Sequence, residues 1–269
     1  MWSTGANWQG QNGWFKRAPT GDAAWTAAFV SRTSGLSTPQ SDAVKAFMNT
    51  LATAGLDTKC LMAKIDALPG TNANLNLKST SYTSTNHSAT HTDTVGYIGN
   101  GSTAYVDTGF SPATNGGTVN DHSVFVALTN MDYDNGPAVL IDSINYHNVL
   151  TALDFGGNLG IFAASGTQLS WANSDTTGSV AYFGYTRSGA SAAQVYHNGT
   201  QVVTSTSNTA DGSFDSGNLC TLGGPTSGAF SANTVGFTWF GTGLTSTEHG
   251  TLYSAVRTLL HTLNATAFP

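Results

Sequence analysis

Between residue 72 and about residue 241 the apolar positions fall into short runs separated by Gly, Asn, Asp and Ser, with no helical periodicity between them. Runs at residues 123–128, 138–141, 159–163, 219–222 and 235–240 have the length and composition of strands. Residues 95–110, VGYIGNGSTAYVDTGF, give a strand, a glycine-rich turn and a second strand containing Tyr105 and Val106. The sharpest pattern is residues 180–203, VAYFGYTRSGASAAQVYHNGTQVV, which predicts three strands joined by two turns. Tyr182, Phe183, Tyr185, Val195, Tyr196, Val202 and Val203 are types that suit a pleated surface. Asn198-Gly199 supplies the two positive-φ positions of a tight hairpin turn. A two-residue loop there opposes His197 to Thr200 and Val195 to Val202, putting the two valines on the core face.

The period changes to helical in two places. After Ser37-Thr38-Pro39-Gln40, the positions Val44, Phe47, Met48 and Leu51 form one apolar stripe that Gly55 ends. Either Ser37 caps this helix with Gln40 closing a capping box, or Thr38 caps it with Pro39 first in the helix. A second short helical piece is expected at residues 59–68, stopped by Pro69-Gly70. The last element is a helix opened by the capping box Thr245 to Glu248, with Leu252, Val256, Leu259, Leu260 and Leu263 on one stripe. Gly250 weakens its first turn by about 1 kcal/mol relative to Ala. Short strands without interleaved helices argue for an all-β sandwich. The chain therefore divides into an aromatic-rich arm (residues 1–36), a short helical segment (37–70), and a sandwich with a closing helix (71–269).

Composition narrows the function. Charged residues make up 9% of the 269, against roughly 25% in ordinary globular proteins, so solubility rests on hydroxyls and amides. The net charge is -6 and the nine Lys and Arg are scattered, with only Lys16 and Arg17 adjacent, which leaves no basic track for nucleic acid. No apolar run approaches the roughly 20 residues of a membrane span. The start, MWSTGANWQG, lacks the basic and apolar stretches of a secretory signal, so synthesis in a cytosol is expected. Cys60 and Cys220 match no metal or redox spacing and read as two buried thiols, with one disulfide as the alternative.

Four of the six tryptophans, Trp2, Trp8, Trp14 and Trp25, sit in the arm among Gly, Asn and Gln. A segment of this kind cannot build its own core, and exposed indoles are costly in water, so the rings must dock on something. They either pack on the sandwich of the same chain or anchor the protein to a neighbouring subunit or partner.

Chemically active constellations are scarce. Glycoside hydrolysis usually needs two carboxylates flanking the bond. Glu248 is the one glutamate and is already engaged as a cap, and the closest aspartates, Asp132 and Asp134, lie in the turn-like MDYDNGP. On this reading the chain is not an enzyme. The same turn, through Asn135-Gly136, offers oxygens at alternate positions but lacks the later glutamate of a calcium loop. His87 and His91 are four apart without a helical pattern, and Gly99-Asn100-Gly101 precedes no helix. No metal, cofactor or catalytic residue is expected. Tyr133, Tyr146, His147, Trp171 and Asn173 are of the types that bind sugars, yet they are equally ordinary sandwich residues.

Three ordered pieces resemble laminin-G-like domains, jelly-roll sandwiches of the concanavalin-A-like lectin and glucanase group. GNGSTAYVD (residues 99–107) resembles their early F-D-G-x-x-D-Y-V strand pair, and residues 180–203 resemble their central hairpin. Residues 240–248 with Leu252-Tyr253 resemble their closing L-[ST]-x-x-E and L-Y segment. Ile98 and Asn100 replace the usual Phe and Asp, and Gln201 stands where an apolar residue is common. Over residues 29–264, the order FVSRTSGL, KIDAL, NLNLKSTSY, GYIGNGSTAYVDTGF and LYSAVRTLLHTLNA is similar to a group of phage and prophage structural proteins. The resemblance implies a concanavalin-A-like jelly-roll sandwich at the surface of a virion, made in the bacterial cytoplasm. It implies a capsid decoration, head fibre or tail-associated adhesion component, with other virion proteins as partners. Such proteins usually work as symmetric oligomers, which implies a homo-oligomer such as a trimer here. A carbohydrate-recognition module for host surface glycans is the alternative, and a glycan-degrading enzyme is the least favoured.

Overall fold

A computed structural model describes residues 23–131, 138–143, 150–154, 158–162, 165–172, 178–210, 212–214, 216–225 and 228–269. It begins with α1 (Ala24–Val30), α2 (Thr38–Thr53) and α3 (Leu56–Lys59), then β1 (Cys60–Lys64) and a 3-10 turn (Gly70–Asn74). There follow β2 (Thr85–His87), β3 (Thr90–Thr92), β4 (Gly96–Ile98), β5 (Tyr105–Asp107), β6 (His122–Asn130), β7 (Ala138–Ser143), β8 (Leu150–Asp154), β9 (Asn158–Phe162) and β10 (Gln168–Ala172). The hairpin strands are β11 (Ala181–Arg187), β12 (Ala193–His197) and β13 (Thr200–Ser205). Then come β14 (Leu219–Thr221), β15 (Gly223–Gly224), β16 (Ala229–Phe230), β17 (Thr234–Gly241) and α4 (Ser246–Leu263).

The strands form an antiparallel sandwich. One sheet of eight strands runs β13-β12-β11-β6-β17-β4-β3, with β1 also paired to β17; the other, of seven, runs β10-β9-β8-β7-β14-β5-β2. Val124, Val126 and Leu128 of β6, with Phe183 and Tyr185 of β11, meet Val106, Ile141, Ile161 and Leu219 of the second sheet. The intervening residues of the first sheet point the other way. Phe125, Ala127, Tyr182, Phe237 and Trp239 pack under Phe47, Met48 and Leu51 of α2 and Leu252, Val256 and Leu259 of α4. Because β6 and β17 are covered on both faces, they read as continuous apolar runs without alternation. The fold is thus the expected β-sandwich with a C-terminal helix, with α1 and α2 beside that helix on the outer face of the larger sheet.

Local chemistry placed several elements correctly. Ser37 caps α2: Gln40 N–H donates to Ser37 Oγ at 3.4 Å, and Ser37 N–H donates to Gln40 Oε1 at 2.9 Å. The alternative with Thr38 as cap is ruled out, since Thr38 is already helical. Thr245 caps α4, with Thr245 N–H donating to Glu248 Oε2 at 2.7 Å and Glu248 N–H to Thr245 Oγ1 at 3.3 Å.

Three details differ from the sequence reading. The helical piece expected at residues 59–68 ends at Lys59, and Cys60–Lys64 is a strand, because pairing with β17 supplies the backbone partners an isolated short helix lacks. The two strands of residues 95–110 do not pair with each other. β4 joins β17 in the first sheet and β5 joins β14 in the second, so the glycine-rich turn crosses between layers. In the β12–β13 hairpin His197 opposes Thr200 as expected, but a bulge between Val195 and Tyr196 makes Val203, not Val202, the partner of Val195. Cys60 and Cys220 are both buried and are not joined by a disulfide. No helix among the described residues is long and apolar enough to cross a membrane.

Candidate functional site

The hairpin that dominates the sequence also builds one wall of a polar cleft. Asn198 and Gly199 take φ values of 48° and 77°, the left-handed positions of a tight turn. The Asn198 amide side chain then bridges back to β11: Tyr182 N–H donates to Asn198 Oδ1 at 2.9 Å, and Asn198 N–H donates to the Tyr182 carbonyl at 2.9 Å. These bonds fix the start of β11 and with it the Tyr182 ring. From the opposite side, α4 contributes Tyr253, which meets Tyr182 edge-on at 5.1 Å and 90°. Arg257 lies one turn further along the same face of α4, at the i,i+4 spacing that places side chains one above the other.

The cleft these residues line has a volume of about 740 Å³, within the roughly 300–1,000 Å³ typical of small-ligand sites. Thr129, Ser179, Thr266, Ala267 and Pro269 complete the lining. Among its described lining the one charged side chain is Arg257. Burial raises the Tyr182 pKa to about 12, reinforced by neighbouring Tyr253 and opposed by Arg257, so the phenol stays a hydrogen-bond donor at neutral pH. Ring faces, phenolic and aliphatic hydroxyls, an amide and a guanidinium are the groups that hold a sugar by stacking and by hydrogen bonds.

The sequence-derived candidates lie elsewhere. Trp2, Trp8 and Trp14 are outside the described residues. Trp25 is half-buried on α1, where its indole N–H donates to the Met48 carbonyl at 3.2 Å and its ring joins the helix-layer core of the same chain. Tyr133, Tyr146, His147 and Asn173, and the turn with Asp132, Asp134, Asn135 and Gly136, also fall outside the described residues. Trp171 on β10 packs against Phe183 and His197, at 6.3 and 5.9 Å between ring centres. His87 and His91 separate onto β2 and β3, which belong to different sheets, and His87 instead stacks on Tyr105 at 4.3 Å. No group of three or more His, Cys, Asp or Glu among the described residues could hold a metal ion. Sequence pattern marks none of Tyr182, Tyr253 and Arg257 as a site residue. The signal was present in part: Arg257 has no acidic residue three or four positions away on its helix, although such pairing is the usual use of a helical arginine.

No protein-family model matches the sequence, and no curated protein matches it. Solved structures do share the fold. Trypanosoma rangeli sialidase matches with a TM-score of 0.55 at 13% identity, covering 78% of this chain and 38% of the sialidase. Domain 4 of an extracellular GH43 arabinanase from Geobacillus stearothermophilus, solved with arabinotriose, matches with a TM-score of 0.51 at 13% identity, over 71% of this chain and 98% of that domain. The binding domain of botulinum neurotoxin serotype D matches with a TM-score of 0.51 at 12% identity, over 74% of this chain and 52% of that one. This chain thus spans well under half of the sialidase it resembles.

These likenesses correct one expectation. The chain was read as not an enzyme, but the same fold occurs in a sialidase and in an arabinanase domain, so the fold is compatible with glycosidase activity. Counting carboxylates close together in sequence is a poor test in a sandwich, because strand pairing aligns distant ones. Cys220 of β14 is in register with Asp107 on one side and Asp142 on the other. The architecture and the comparisons together establish a two-sheet antiparallel β-sandwich whose fold these structures share.

Proposed function

We propose that this protein is a glycan-recognition module carried on the surface of a phage particle, and that the cleft between the Asn198-Gly199 turn and α4 is its binding site. The cleft carries the glycan part: it brings Tyr182, Tyr253, Asn198 and Arg257 to one polar concavity of about 740 Å³. The arabinanase domain solved with arabinotriose is a precedent for this fold in a saccharide complex. Placement on a particle rests on the resemblance of the ordered sequence pieces to phage structural proteins. In that setting the other virion proteins and further copies of this chain, in a closed symmetric oligomer such as a trimer, are its partners.

A glycan array with the whole chain tests the recognition reading, followed by the same array with Thr266→Trp. Thr266 is exposed at the cleft, and an indole there fills the cavity without disturbing the core. Specific binding abolished by the substitution supports the site. A blank array, or binding that Thr266→Trp leaves intact, refutes it. Removing residues 1–22 tests attachment. The cut stops there because Ala23 N–H and Thr26 Oγ1 both donate to Asn49 Oδ1, at 3.0 and 2.9 Å, and belong to the fold. Loss of the truncated chain from purified particles supports the tryptophan arm as the anchor, and normal incorporation refutes it.

A further inference from the structure

Among the described residues, the cations are almost all committed to partners within the chain. Lys45 pairs with Asp42, Lys59 with Glu248 and Lys64 with Asp66. Lys78 Nζ donates to the Asp57 carbonyl at 2.6 Å, and the Arg32 guanidinium donates to the Asn76 and Ser79 carbonyls at 2.8 and 3.1 Å. Arg187 is buried and donates to Asn208. Among the described lysines and arginines, Arg257 alone makes no hydrogen bond and pairs with no carboxylate.

Its surroundings make that exception specific. The molecule carries a net charge of -6, which repels anions at long range, yet no described Asp or Glu lines the cleft around Arg257. The neighbouring side chains that can donate are the phenols of Tyr182 and Tyr253, with the Asn198 amide beside them, while the Thr129 hydroxyl already donates to the Thr234 carbonyl. A neutral sugar presents hydroxyls, which both donate and accept and gain nothing particular from a guanidinium. A carboxylate presents two in-plane acceptors that match the guanidinium fork, and it accepts from phenols as well.

We infer that the cleft selects a saccharide bearing a carboxylate, held in a forked hydrogen-bonded pair by Arg257 with the Tyr182 and Tyr253 hydroxyls as further donors. This rests on the reading of the cleft as the glycan site. A charge-assisted hydrogen bond contributes about 1.5–3 kcal/mol, so the carboxylate form binds roughly 10- to 100-fold more tightly than its neutral counterpart.

The test uses isothermal titration of the whole chain with one oligosaccharide in three forms: the free acid, its methyl ester, and an analogue with sulfate in place of the carboxylate. Expected is at least about tenfold tighter binding of the acid than of the ester, reduced to about twofold or less by Arg257→Gln. Arg257→Lys restores only part of the preference, because an ammonium cannot fork. Equal affinity for acid and ester overturns the inference, and so does a sulfated form that binds as tightly as the acid. A preference that survives Arg257→Gln also overturns it. Neutral sugars that bind without any preference for acid, and are blocked by Thr266→Trp, leave the glycan site standing while this assignment fails. No binding to any form removes both.

Discussion

Gly199, at the tip of the hairpin, lies flat against the ring of Tyr253 on α4: a Cβ added to Gly199 would stand 2.4 Å from Tyr253 Cδ1. With φ at +77°, the position also disfavours any side chain. Gly199→Ala is therefore expected to lose about 1–2 kcal/mol from the backbone alone, and more because the tyrosine ring must move. Urea unfolding measures this, with Gly189→Ala as the control, since there the nearest atom is 3.8 Å away. Equal unfolding midpoints for the two variants would show neither backbone strain at Gly199 nor contact between the turn and the helix. Displacing Tyr253 also reshapes the cleft, so the variant should bind any glycan ligand more weakly.

His249 gives the fold a defined acid sensitivity. Its ring stacks on Tyr196 at 3.9 Å and lies over Gly184, and both nitrogens are buried without a well-formed hydrogen bond. Burial lowers its pKa to about 4, opposed by the Tyr185 backbone and by Glu248. The unfolded chain, with an ordinary histidine pKa near 6.5, binds a proton before the folded chain does. Stability from the neutral ring is therefore complete above about pH 6.5 and is lost progressively as pH falls toward 4. His249→Phe keeps the stacking and removes the titration. Denaturation midpoints from pH 7 to pH 4 should fall less steeply in the variant than in the parent. His122, also buried, contributes to the slope that remains, since burial lowers its pKa to about 3.

How much of this was legible in the sequence depended on how local the cause was. The Asn198-Gly199 turn and the Ser37 and Thr245 caps were readable because each is determined within a few residues. The strands β6 and β17 were readable because burial on both faces leaves an unbroken apolar run. β1 was not, since CLMAK becomes a strand only by pairing with residues 238–241 at the far end of the chain. β2 and β3, TNH and THT, carry no apolar alternation at all. The cleft was invisible for the same reason. Tyr182 and Tyr253 meet only because the hairpin and α4 dock on each other, and nothing in either segment alone marks the pair.

Lys64 and Asp66 form an ion pair with both side chains fully buried, Nζ to Oδ1 at 2.9 Å. Thr238 Oγ1 donates to the other carboxylate oxygen at 2.7 Å, and the ammonium lies 5.6 Å from the centre of the Tyr97 ring. Removing one partner strands a buried charge, so Lys64→Met should cost about 3–5 kcal/mol. Replacing the whole group, as Lys64→Met with Asp66→Leu and Thr238→Val, leaves no orphaned charge and should recover most of that loss. If the triple variant is no more stable than the single one in chemical denaturation, the penalty lies in packing around the stem of Lys64 and not in the stranded carboxylate.

Glu248 combines two roles at the start of α4, and they can be separated. Its carboxylate accepts from the Thr245 backbone as half of the capping box and from Lys59 Nζ at 2.7 Å, tying α4 to the end of α3. Burial alone would raise its pKa, but the hydrogen bonds from Lys59 and Thr245 overcome this and leave it lowered. Stability from the charged form is present above the ordinary glutamate pKa and is lost as pH falls through the folded value, a window below that of His249. Thr245→Ala removes the cap and should cost about 1 kcal/mol. Glu248→Gln retains an acceptor for the box while losing the ion pair, whose side chains are 30% and 23% exposed. Its cost should be smaller, below about 1 kcal/mol, and should shrink as salt is added. A salt-independent loss larger than that of Thr245→Ala would mean that the link to Lys59, and not the cap, holds the first turn of α4 in place.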